Sequence, residues 1–417
     1  MFSLNMLPIV RGRFSHSLKD DFSVILRCLF TNSGEKRVLE YEKVMASHLG
    51  INYCTSFSLA RTAYWATLKS MNLPAGAKVI LPSITIKALL DVTLHMGLKP
   101  IFIDVDPSTG CVDINSLEKL VIEKPKVILL TYLFGSVPNV QKIIEITKRN
   151  SIFVIEDFSQ CFNGMFNGKQ VGTFGDVSIL STSAVKTLDT YGGGLVFTNN
   201  TKLFSKILKV KSTLPRLSRK NLLIKVCSST VKNLLTNRLI FKVICYPILI
   251  TAAMKKNTFS RFVGDRSQSP VNKLPSVWFT RIHPIQAVVG LKYLQRVKTF
   301  DMRRIAIANK YSQNVDFVGS QVVNGAQSVY WQCVLRTSNQ ALVRAQLAKK
   351  GIDSAKTSLV LLSVLPEYGW DFGRSTPNSV NLHSNGVYIP LYHQLTDKEV
   401  DRICKEVFKL RHLGYVT

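Results

Sequence analysis

The chain has 417 residues, of which 46% are hydrophobic and 19% charged, so it is long enough for two or three domains and too apolar for disorder driven by self-repulsion. It carries 54 Lys and Arg residues against 26 Asp and Glu residues, and this net charge of +28 implies an anionic partner surface. The eight cysteines form no Cys-x-x-Cys pair and have no short spacing to a histidine, so we expect neither a metal site nor a disulfide scaffold.

The N-terminal residues 1–31 form a basic arm that carries Arg11, Arg13 and Lys19. A secretory signal peptide needs an apolar stretch followed by a small-residue cleavage site, and the arm has neither feature. We therefore expect a cytoplasmic protein.

Between residues 53 and 200, short β-branched runs alternate with helix-like segments. Near-continuous apolar runs separated by helices are typical of βαβ units, in which helices cover both faces of a mostly parallel sheet. Neither a Gly-x-Gly-x-x-Gly fingerprint nor a P-loop follows a run, so no dinucleotide or P-loop site is predicted. The predicted strands are 78–81, 100–105, 126–132, 152–155, 177–181 and 195–198, and the helices between them include 62–71, 86–96 and 140–150.

Polar residues follow two of these strands, at the edge where a parallel sheet places its ligand-handling side chains. Glu156 and Asp157 come directly after one strand, and Lys186 ends a hydroxyl-rich loop after another. Considered separately, the two carboxylates are more simply explained as part of a solvated turn, and the lysine as an ordinary solvated side chain. The helix start near Thr62 has backbone N–H groups that would hold a phosphate, and an ordinary Thr N-cap also fits there.

The order of these parts favours one chemistry. Thr62, Asp157, Ser181 and Lys186 follow one another along the chain, with a triple glycine at 192–194 close behind. Pyridoxal phosphate needs a lysine amine for its Schiff base, a carboxylate that keeps its pyridine nitrogen protonated, and donors for its phosphate. The set therefore predicts a site for this cofactor.

Several segments of the chain resemble the pyridoxal-phosphate-dependent sugar aminotransferases of the DegT/StrS type. The resemblance covers roughly residues 32–410 apart from one inserted stretch. It implies an α/β fold-type-I transferase with a mostly parallel central sheet, a smaller C-terminal α+β domain and a homodimeric assembly. The matching segments are LPSIT at 81–85, KPIFIDVDPSTGCVD at 99–113, FVIEDFSQ at 153–160, GKQVGTFGDVSILSTSAVK at 168–186, IQAVVGLKYLQRV at 285–297 and IPLYHQLTDKEV at 389–400.

The resemblance implies roles for individual residues. Lys186 matches the Schiff-base lysine, and Asp157 matches the partner of the pyridine nitrogen. Gln160 matches the residue beside the ring hydroxyl, and the alternative is that it belongs to an ordinary turn. Ser181 matches a phosphate-binding hydroxyl, and the alternative is an ordinary serine at the end of a strand. Lys186 and Asp157 are thus the predicted catalytic pair.

The phosphate cradle of the family matches Thr62 and Ala63, and three nearby positions depart from its pattern. The usual Gly before the Thr is Arg61, which either crowds the loop or adds positive charge. Where the family usually has an aromatic residue that stacks on the cofactor ring, this chain has Ile86. Where the family has an Asn that reaches the phosphate in the partner subunit, this chain has Phe279. These departures put a standard nucleotide-sugar pocket in doubt and leave the covalent chemistry intact.

A different composition begins after residue 200. Residues 201–264 hold fourteen Lys or Arg and no Asp or Glu, and they include aliphatic runs such as 239–254. Few aromatic residues are interleaved, so nucleic-acid binding is not expected. A cationic amphipathic segment on an anionic membrane accounts for both properties, and an apolar hairpin packed on the partner subunit is the alternative. Because Lys242 and Pro247 interrupt the run and a spanning helix needs about 20 residues, we do not expect it to span.

After residue 275 the sequence returns to helices and one short strand. The pattern predicts helices at 285–297, 302–315, 340–350 and 397–410, with Thr396 and Asp397 at the start of the last, and a strand at 330–335. The chain then divides into an arm (1–31), a cofactor-binding large domain (32–200), a basic apolar insertion (201–274), and interface helices with a small domain (275–417).

The sequence thus predicts an aminotransferase that moves an amino group from an amino acid, glutamate in the first instance, to a nucleotide-linked or lipid-linked keto-sugar in polysaccharide or glycoconjugate biosynthesis. Lys186 would act as nucleophile and general base. Two alternatives stay open. One is another pyridoxal-phosphate reaction on this scaffold, such as dehydration or carbon–carbon bond formation. The other is a non-catalytic, membrane-attached binding protein, which Arg61, Ile86 and Phe279 favour.

Overall fold

The strands of the central sheet are apolar on both faces, as the sequence pattern predicts for a sheet covered on two sides. The computed structural model describes residues 7–31, 34–254 and 273–417. The strands are β1 (Tyr53–Phe57), β2 (Lys78–Pro82), β3 (Ile84–Thr85), β4 (Lys99–Ile103), β5 (Val127–Thr131), β6 (Phe153–Asp157), β7 (Met165–Phe166), β8 (Lys169–Gln170), β9 (Val177–Ser181), β10 (Gly194–Thr198), β11 (Ala326–Gln327), β12 (Cys333–Arg336), β13 (Val360–Leu361), β14 (Val364–Leu365), β15 (Trp370–Asp371) and β16 (Gly386–Ile389).

Helices surround this sheet and form most of the remaining structure. They are α1 (Leu18–Phe30), α2 (Lys36–Leu49), α3 (Ala60–Met71), α4 (Lys87–His95), α5 (Ile114–Leu120), α6 (Val140–Arg149), α7 (Thr201–Ser212), α8 (Arg219–Leu235), α9 (Arg238–Ile240), α10 (Tyr246–Met254), α11 (Pro284–Ser312), α12 (Gln340–Lys349), α13 (Pro377–Asn385) and α14 (Asp397–His412).

Seven strands form the main sheet in the order β1-β10-β9-β6-β5-β2-β4. Neighbouring strands from β9 to β4 run parallel, and β10 and β1 add an antiparallel edge. In β5, Ile128 and Leu130 enter the apolar cluster on one face, while Val127 and Leu129 enter the cluster on the other. The predicted α/β fold with a mostly parallel sheet is confirmed, and the carboxyl ends of β6 and β9 lie side by side.

A smaller α+β unit follows, in which β12 pairs antiparallel with β16. Val343 and Leu347 of α12 and Ile403 of α14 are buried in its apolar cluster. Helix α14 begins with a capping box, because the Thr396 side chain accepts from the N–H of Glu399 and the Glu399 side chain accepts from the N–H of Thr396. The predicted start of this helix is confirmed.

One helix differs from the sequence prediction. The segments 285–297 and 302–315, predicted as separate helices, form the single 29-residue helix α11. The four residues between them contain no Gly or Pro, so nothing interrupts the backbone hydrogen bonds. Asp301 pairs with Arg304 one turn later and supports the junction.

The described part of the basic segment is mostly helical, with short non-helical connections after α7 and α8, and its residues 255–264 lie outside the described part. Leu203 and Ile207 of α7 are buried against α3, and Leu222 and Val226 of α8 are buried in the apolar cluster that includes residues of α1. A π-helical turn at Phe241–Cys245 joins α9 to α10. Among the described residues no single helix is long and apolar enough to cross a membrane, and one pair that passes that test jointly, 219–235 with 238–251, is bent by 64°.

Candidate active site

Asp157 ends β6 at the carboxyl edge of the sheet, and it is 5% exposed. One of its carboxylate oxygens accepts a hydrogen bond from the backbone N–H of Ser159 at 3.0 Å. Burial raises the pKa of Asp157, while Ser159 and the nearby Lys186 ammonium act in the opposite direction. A protonated nitrogen placed against this buried carboxylate would stabilise it strongly through a charge-assisted hydrogen bond.

The neighbouring carboxylate, Glu156, has a structural role. It is fully buried, and it accepts hydrogen bonds from the Tyr132 hydroxyl at 2.5 Å and from the backbone N–H groups of Gly172 at 2.8 Å, Phe174 at 2.7 Å and Gly175 at 2.6 Å. These donors anchor the loop that leads into β9. Because successive side chains on a strand point to opposite faces, Glu156 does not share the site of its neighbour.

Lys186 lies in the loop after β9, and its Nζ is 3.9 Å from the centre of the Trp331 ring. Burial lowers the pKa of Lys186 to about 8, while the charge of Asp157 counteracts part of this effect. The Trp331 indole N–H donates to the carbonyl of Val185 at 3.0 Å, so the ring also holds the loop. Trp331 was not predicted, since no local pattern ties it to a residue 146 positions earlier.

Three serines and a glutamine lie at the carboxyl edge of β6 and β9. The Ser159 hydroxyl accepts from the backbone N–H of Ser181 at 2.8 Å, and the hydroxyls of Ser181 and Ser183 are 3.0 Å apart. The side-chain carbonyl of Gln160 accepts from the N–H of Phe134 at 2.8 Å, so its amide N–H groups are what it can offer a ligand. Gln160 and Ser181 therefore lie at the same sheet edge as Asp157.

Helix α3 begins beside the glycine-rich entry to β10. A Cβ on Gly194 would lie 2.4 Å from the backbone nitrogen of Ala60, so this close approach requires glycine. The N–H groups of Thr62 and Ala63 donate to the carbonyl of the N-cap residue at 3.1 and 3.2 Å, and the Thr62 hydroxyl donates to the carbonyl of Trp278. The amides before Thr62 have no carbonyl one turn earlier, so the helix start favours an anion.

Two cations flank this helix start. The Arg61 guanidinium lies over the Trp278 ring, 4.4 Å from its centre. Lys225 of α8 reaches the glycine loop, since a Cβ on Gly192 would be 3.3 Å from its Nζ. Burial and the charge of Arg61 lower the pKa of Lys225. Arg61 thus adds positive charge here, and Lys225 adds a second charge that the sequence did not single out.

Two further predicted positions contribute apolar packing. Ile86 is the N-cap residue of α4 and packs, half-buried, against the apolar cluster on one sheet face. Phe279 packs on Trp65 of the same chain, with ring centres 4.7 Å apart. Neither side chain carries a hydrogen-bonding group, so both contribute apolar contacts only.

A buried charged cluster supports the lysine loop from behind. The two ring nitrogens of His16 lie 2.6 Å from Asp21 and 3.2 Å from Asp189, and the Tyr191 hydroxyl donates to Asp21 at 2.6 Å. Asp189 also accepts from the backbone N–H of Val185 at 3.2 Å, next to Lys186. The N-terminal arm is thereby tied to the loop that carries the lysine.

The cluster predicts a pH-dependent contribution to stability. Burial alone would lower the pKa of His16, but its contacts with Asp189 and Asp21 raise it to about 9. The pKa of a histidine in the unfolded chain is about 6.5, so this contribution to stability is complete below that pH and is lost as the pH rises through about 9. It amounts to about 3 kcal/mol. We expect His16→Gln to lower the free energy of unfolding by that amount at pH 6 and by much less at pH 9.5, as measured by urea denaturation. An equal loss at both pH values would contradict a charged His16.

These residues fit pyridoxal phosphate. A lysine with a lowered pKa suits its aldehyde, a buried carboxylate suits its pyridine nitrogen, and a helix start flanked by two cations suits its phosphate. A parallel α/β sheet that presents this set at its carboxyl edge defines a pyridoxal-phosphate-dependent enzyme of fold type I.

Comparison with known proteins narrows this class. The model of the DegT/DnrJ/EryC1/StrS aminotransferase family matches residues 18–227 and 249–408. The chain belongs to this family and is a pyridoxal-phosphate-dependent aminotransferase. The match leaves out residues 228–248, which are the C-terminal half of α8, α9 and the start of the helical segment that follows.

Individual relatives match along nearly the whole chain. GDP-perosamine synthase of Escherichia coli O157:H7 is 24% identical, over 97% of this chain and 98% of its own length. A DegT DnrJ EryC1 StrS aminotransferase from Brucella abortus has a TM-score of 0.71 at 22% identity and 95% coverage of both chains. Helicobacter pylori PseC, an aminotransferase involved in the biosynthesis of pseudoaminic acid, has a TM-score of 0.72 at 19% identity, covering 96% of this chain and 98% of that one.

Proposed function

We propose that this enzyme transfers an amino group from an amino acid, glutamate in the first instance, to a nucleotide-linked or lipid-linked keto-sugar. The product would enter the biosynthesis of a surface polysaccharide or glycoconjugate. The observation that carries the reaction is the pair formed by Lys186 and Asp157. Asp157 ends β6, Lys186 lies in the loop after the neighbouring strand β9, and the charge of each acts on the pKa of the other. The sugar substrate is supported by the names of the relatives, which include a GDP-perosamine synthase.

Each residue of the site has a task in this reaction. Pyridoxal phosphate, when bound, supplies a ring that accepts the electrons released when a substrate carbon loses its proton. The Nζ of Lys186 moves that proton, and its lowered pKa leaves more of the amine unprotonated near neutral pH. Asp157 holds the proton on the ring nitrogen through a charge-assisted hydrogen bond.

The remaining predicted residues would bind and orient the cofactor. We assign the phosphate to the start of α3, to the amides that precede Thr62 and Ala63, and to the Ser181 hydroxyl. Arg61 would contribute positive charge there. Gln160 would donate to the ring hydroxyl through its amide. Ile86 would contact the ring face where an aromatic residue is usual in the family.

Amino transfer can be tested with the purified protein loaded with pyridoxal phosphate. Without an acceptor, glutamate should release about one 2-oxoglutarate per subunit, because the amino group stays on the enzyme. Addition of a nucleotide-linked keto-sugar should then allow repeated turnover and yield an amino-sugar by mass spectrometry. Failure of both glutamate and glutamine to release a keto acid would contradict the proposal.

We also propose that the enzyme is a homodimer, as its family resemblance implies. A chain of 46.8 kDa should then sediment at about twice that mass. Sedimentation equilibrium at micromolar concentration measures this directly, and a monomer at all concentrations would refute it.

A membrane-facing role for the basic segment is supported by its exposed surface. Several aliphatic side chains of the segment are at least half exposed on the described chain, and large apolar groups are costly to leave in water. The segment carries no acidic residue that would repel anionic lipid. The apolar surface consists of Ile224, Val231, Leu239, Val243, Ile244 and Ile248. We propose that it lies in the headgroup region of an anionic membrane on the cytoplasmic side.

Vesicle binding tests this surface. Leu239→Ser, Val243→Ser and Ile244→Ser combined should weaken co-sedimentation with anionic vesicles at least about 10-fold, because shallow apolar burial is lost. High salt should release only part of the wild-type protein, since screening leaves the apolar contribution in place. The matched control is Ile122→Ser with Val322→Ser, two exposed aliphatic residues elsewhere. If the wild-type protein does not sediment with anionic vesicles, packing on the partner subunit explains the surface instead.

A further inference from the structure

The loop after β9, residues 182–193, has a strained residue directly before Lys186. Val185 has a φ of 67°, in the left-handed region. A β-branched residue rarely adopts this conformation, because its Cβ lies too close to the following carbonyl oxygen. The Val185 side chain is 52% exposed, so side-chain packing does not hold the residue in place. Contacts of its backbone must therefore hold it.

Asp189 holds this backbone from one side. One oxygen of its buried carboxylate accepts from the N–H of Val185 at 3.2 Å, and the other accepts from the N–H of Tyr191 at 2.8 Å. Tyr191 also has a left-handed backbone, with a φ of 59°. On the other side, the Trp331 indole N–H donates to the Val185 carbonyl at 3.0 Å. Strained residues persist where the surrounding structure fixes them, and they are concentrated at functional sites.

His16 of the N-terminal arm holds Asp189 in turn. Its Nε2 lies 3.2 Å from Asp189 and its Nδ1 lies 2.6 Å from Asp21, and none of the three side chains is accessible to solvent. Removal of one partner of a buried ion pair leaves an uncompensated charge. Without His16, Asp189 and Asp21 would be two like charges in one buried cluster. Protonation or movement of Asp189 would relieve this repulsion, and either change weakens its contact with Val185.

The charge of His16 is set by the groups around it. Burial lowers the pKa of His16, but Asp189 and Asp21 raise it to about 9, so the imidazole is protonated at neutral pH. Asn233 of α8 fixes the arm, because its amide donates to the His16 carbonyl at 3.0 Å and to Asp21 at 2.9 Å. The titratable groups that face the His16 ring are Asp21 of α1, Asp189 and Tyr191 of the loop, and Tyr293 of α11.

We propose that His16 is a positioning residue for Lys186, which it holds through Asp189 in the geometry that reacts with the cofactor. The inference rests on the proposed function, because that function assigns the cofactor to Lys186. His16 acts through the backbone of the loop and not on the reacting atoms. A displacement of about 1 Å at a reacting group can slow a reaction about 10²-fold, so a small relaxation at Val185 is enough for a large effect.

The holoenzyme tests this role through the rate of 2-oxoglutarate release from glutamate and the dissociation constant of pyridoxal phosphate. Near neutral pH, and at a temperature at which each variant is folded, His16→Gln should slow the release about 10-fold and Asp189→Ala about 10²-fold. Both should weaken cofactor binding at least about 3-fold, because Lys186 no longer lies where its bond to the aldehyde forms best. Asp176→Asn is the matched control, since it also alters a carboxylate that accepts from a backbone N–H, and it should change neither quantity.

Substitutions of Val185 separate a positioning role from a purely structural one. In the His16→Gln protein, Val185→Gly should raise the release rate at least about 3-fold, because glycine adopts a left-handed backbone without steric cost. Val185→Ala keeps the Cβ, so it should give no such rescue. The difference between the wild-type protein and His16→Gln should also shrink as the pH rises through about 9, because His16 then loses its proton in the wild-type protein.

Two results would overturn the inference. One is that His16→Gln and Asp189→Ala release 2-oxoglutarate and bind the cofactor like the wild-type protein. The other is that Val185→Gly and Val185→Ala have the same effect in the His16→Gln protein. A failure of the proposed function gives a different result, because borohydride would then label a lysine other than Lys186 in the wild-type protein.

Discussion

Lys186→Ala should reduce amino transfer by at least roughly 10³-fold, because this residue is assigned both the covalent bond to the cofactor and the movement of the substrate proton. The Lys186 Nζ lies over the Trp331 ring, and burial lowers the pKa of its amine. The substitution therefore removes a buried amine that no other residue at this position replaces. The rate of 2-oxoglutarate release from glutamate measures the effect.

The matched control is Lys169→Ala, which removes an exposed lysine of β8 from the same half of the chain. It should leave the rate near that of the wild-type protein. If Lys186→Ala retains more than a tenth of the wild-type rate while its thermal unfolding is unchanged, another group performs the proton transfer.

Asp157→Asn should slow turnover about 10²–10³-fold, the typical loss when one preorganised electrostatic group is removed. The asparagine side chain has nearly the same shape and keeps an oxygen that accepts from the Ser159 N–H, so the fold should persist. It cannot hold a proton on the ring nitrogen as a carboxylate does. The measurement is the rate of glutamate-dependent amino transfer at saturating cofactor.

Asp176→Asn serves as the control for this substitution. Asp176 precedes β9 at the opposite edge of the sheet, where its carboxylate accepts from the N–H of Val154 at 2.8 Å. Its loss should affect stability and spare the reaction. Normal turnover in Asp157→Asn would remove this residue from the mechanism.

Local patterns predicted the mostly parallel sheet, which the structure confirms. Apolar runs such as 177–181 are detectable in any short window, and the edge of a parallel sheet is a general location for ligands. Asp157 ends β6 and Lys186 lies in the loop after the neighbouring strand β9, so both belong to the carboxyl edge of that sheet.

Contacts between distant parts of the chain were not predictable in this way. Arg13 and Lys232 line one cavity although they are separated by most of the large domain, and His16 meets Asp189 through a similar long-range contact. The residues around a single basic or aromatic side chain do not indicate which distant residue it will contact. The sequence also does not show which of Glu156 and Asp157 faces the site. Their roles differ because adjacent side chains on a strand point to opposite faces of the sheet.

The central claim is that Lys186 carries the cofactor, and borohydride reduction with peptide mapping tests it most directly. The purified protein is incubated with pyridoxal phosphate, reduced, digested and analysed by mass spectrometry, which locates the added mass on a single lysine. We predict that the modified peptide contains Lys186 and that the yield approaches one label per subunit. Modification of Lys225 or Lys169 in place of Lys186, or no stable label at all, would contradict the account.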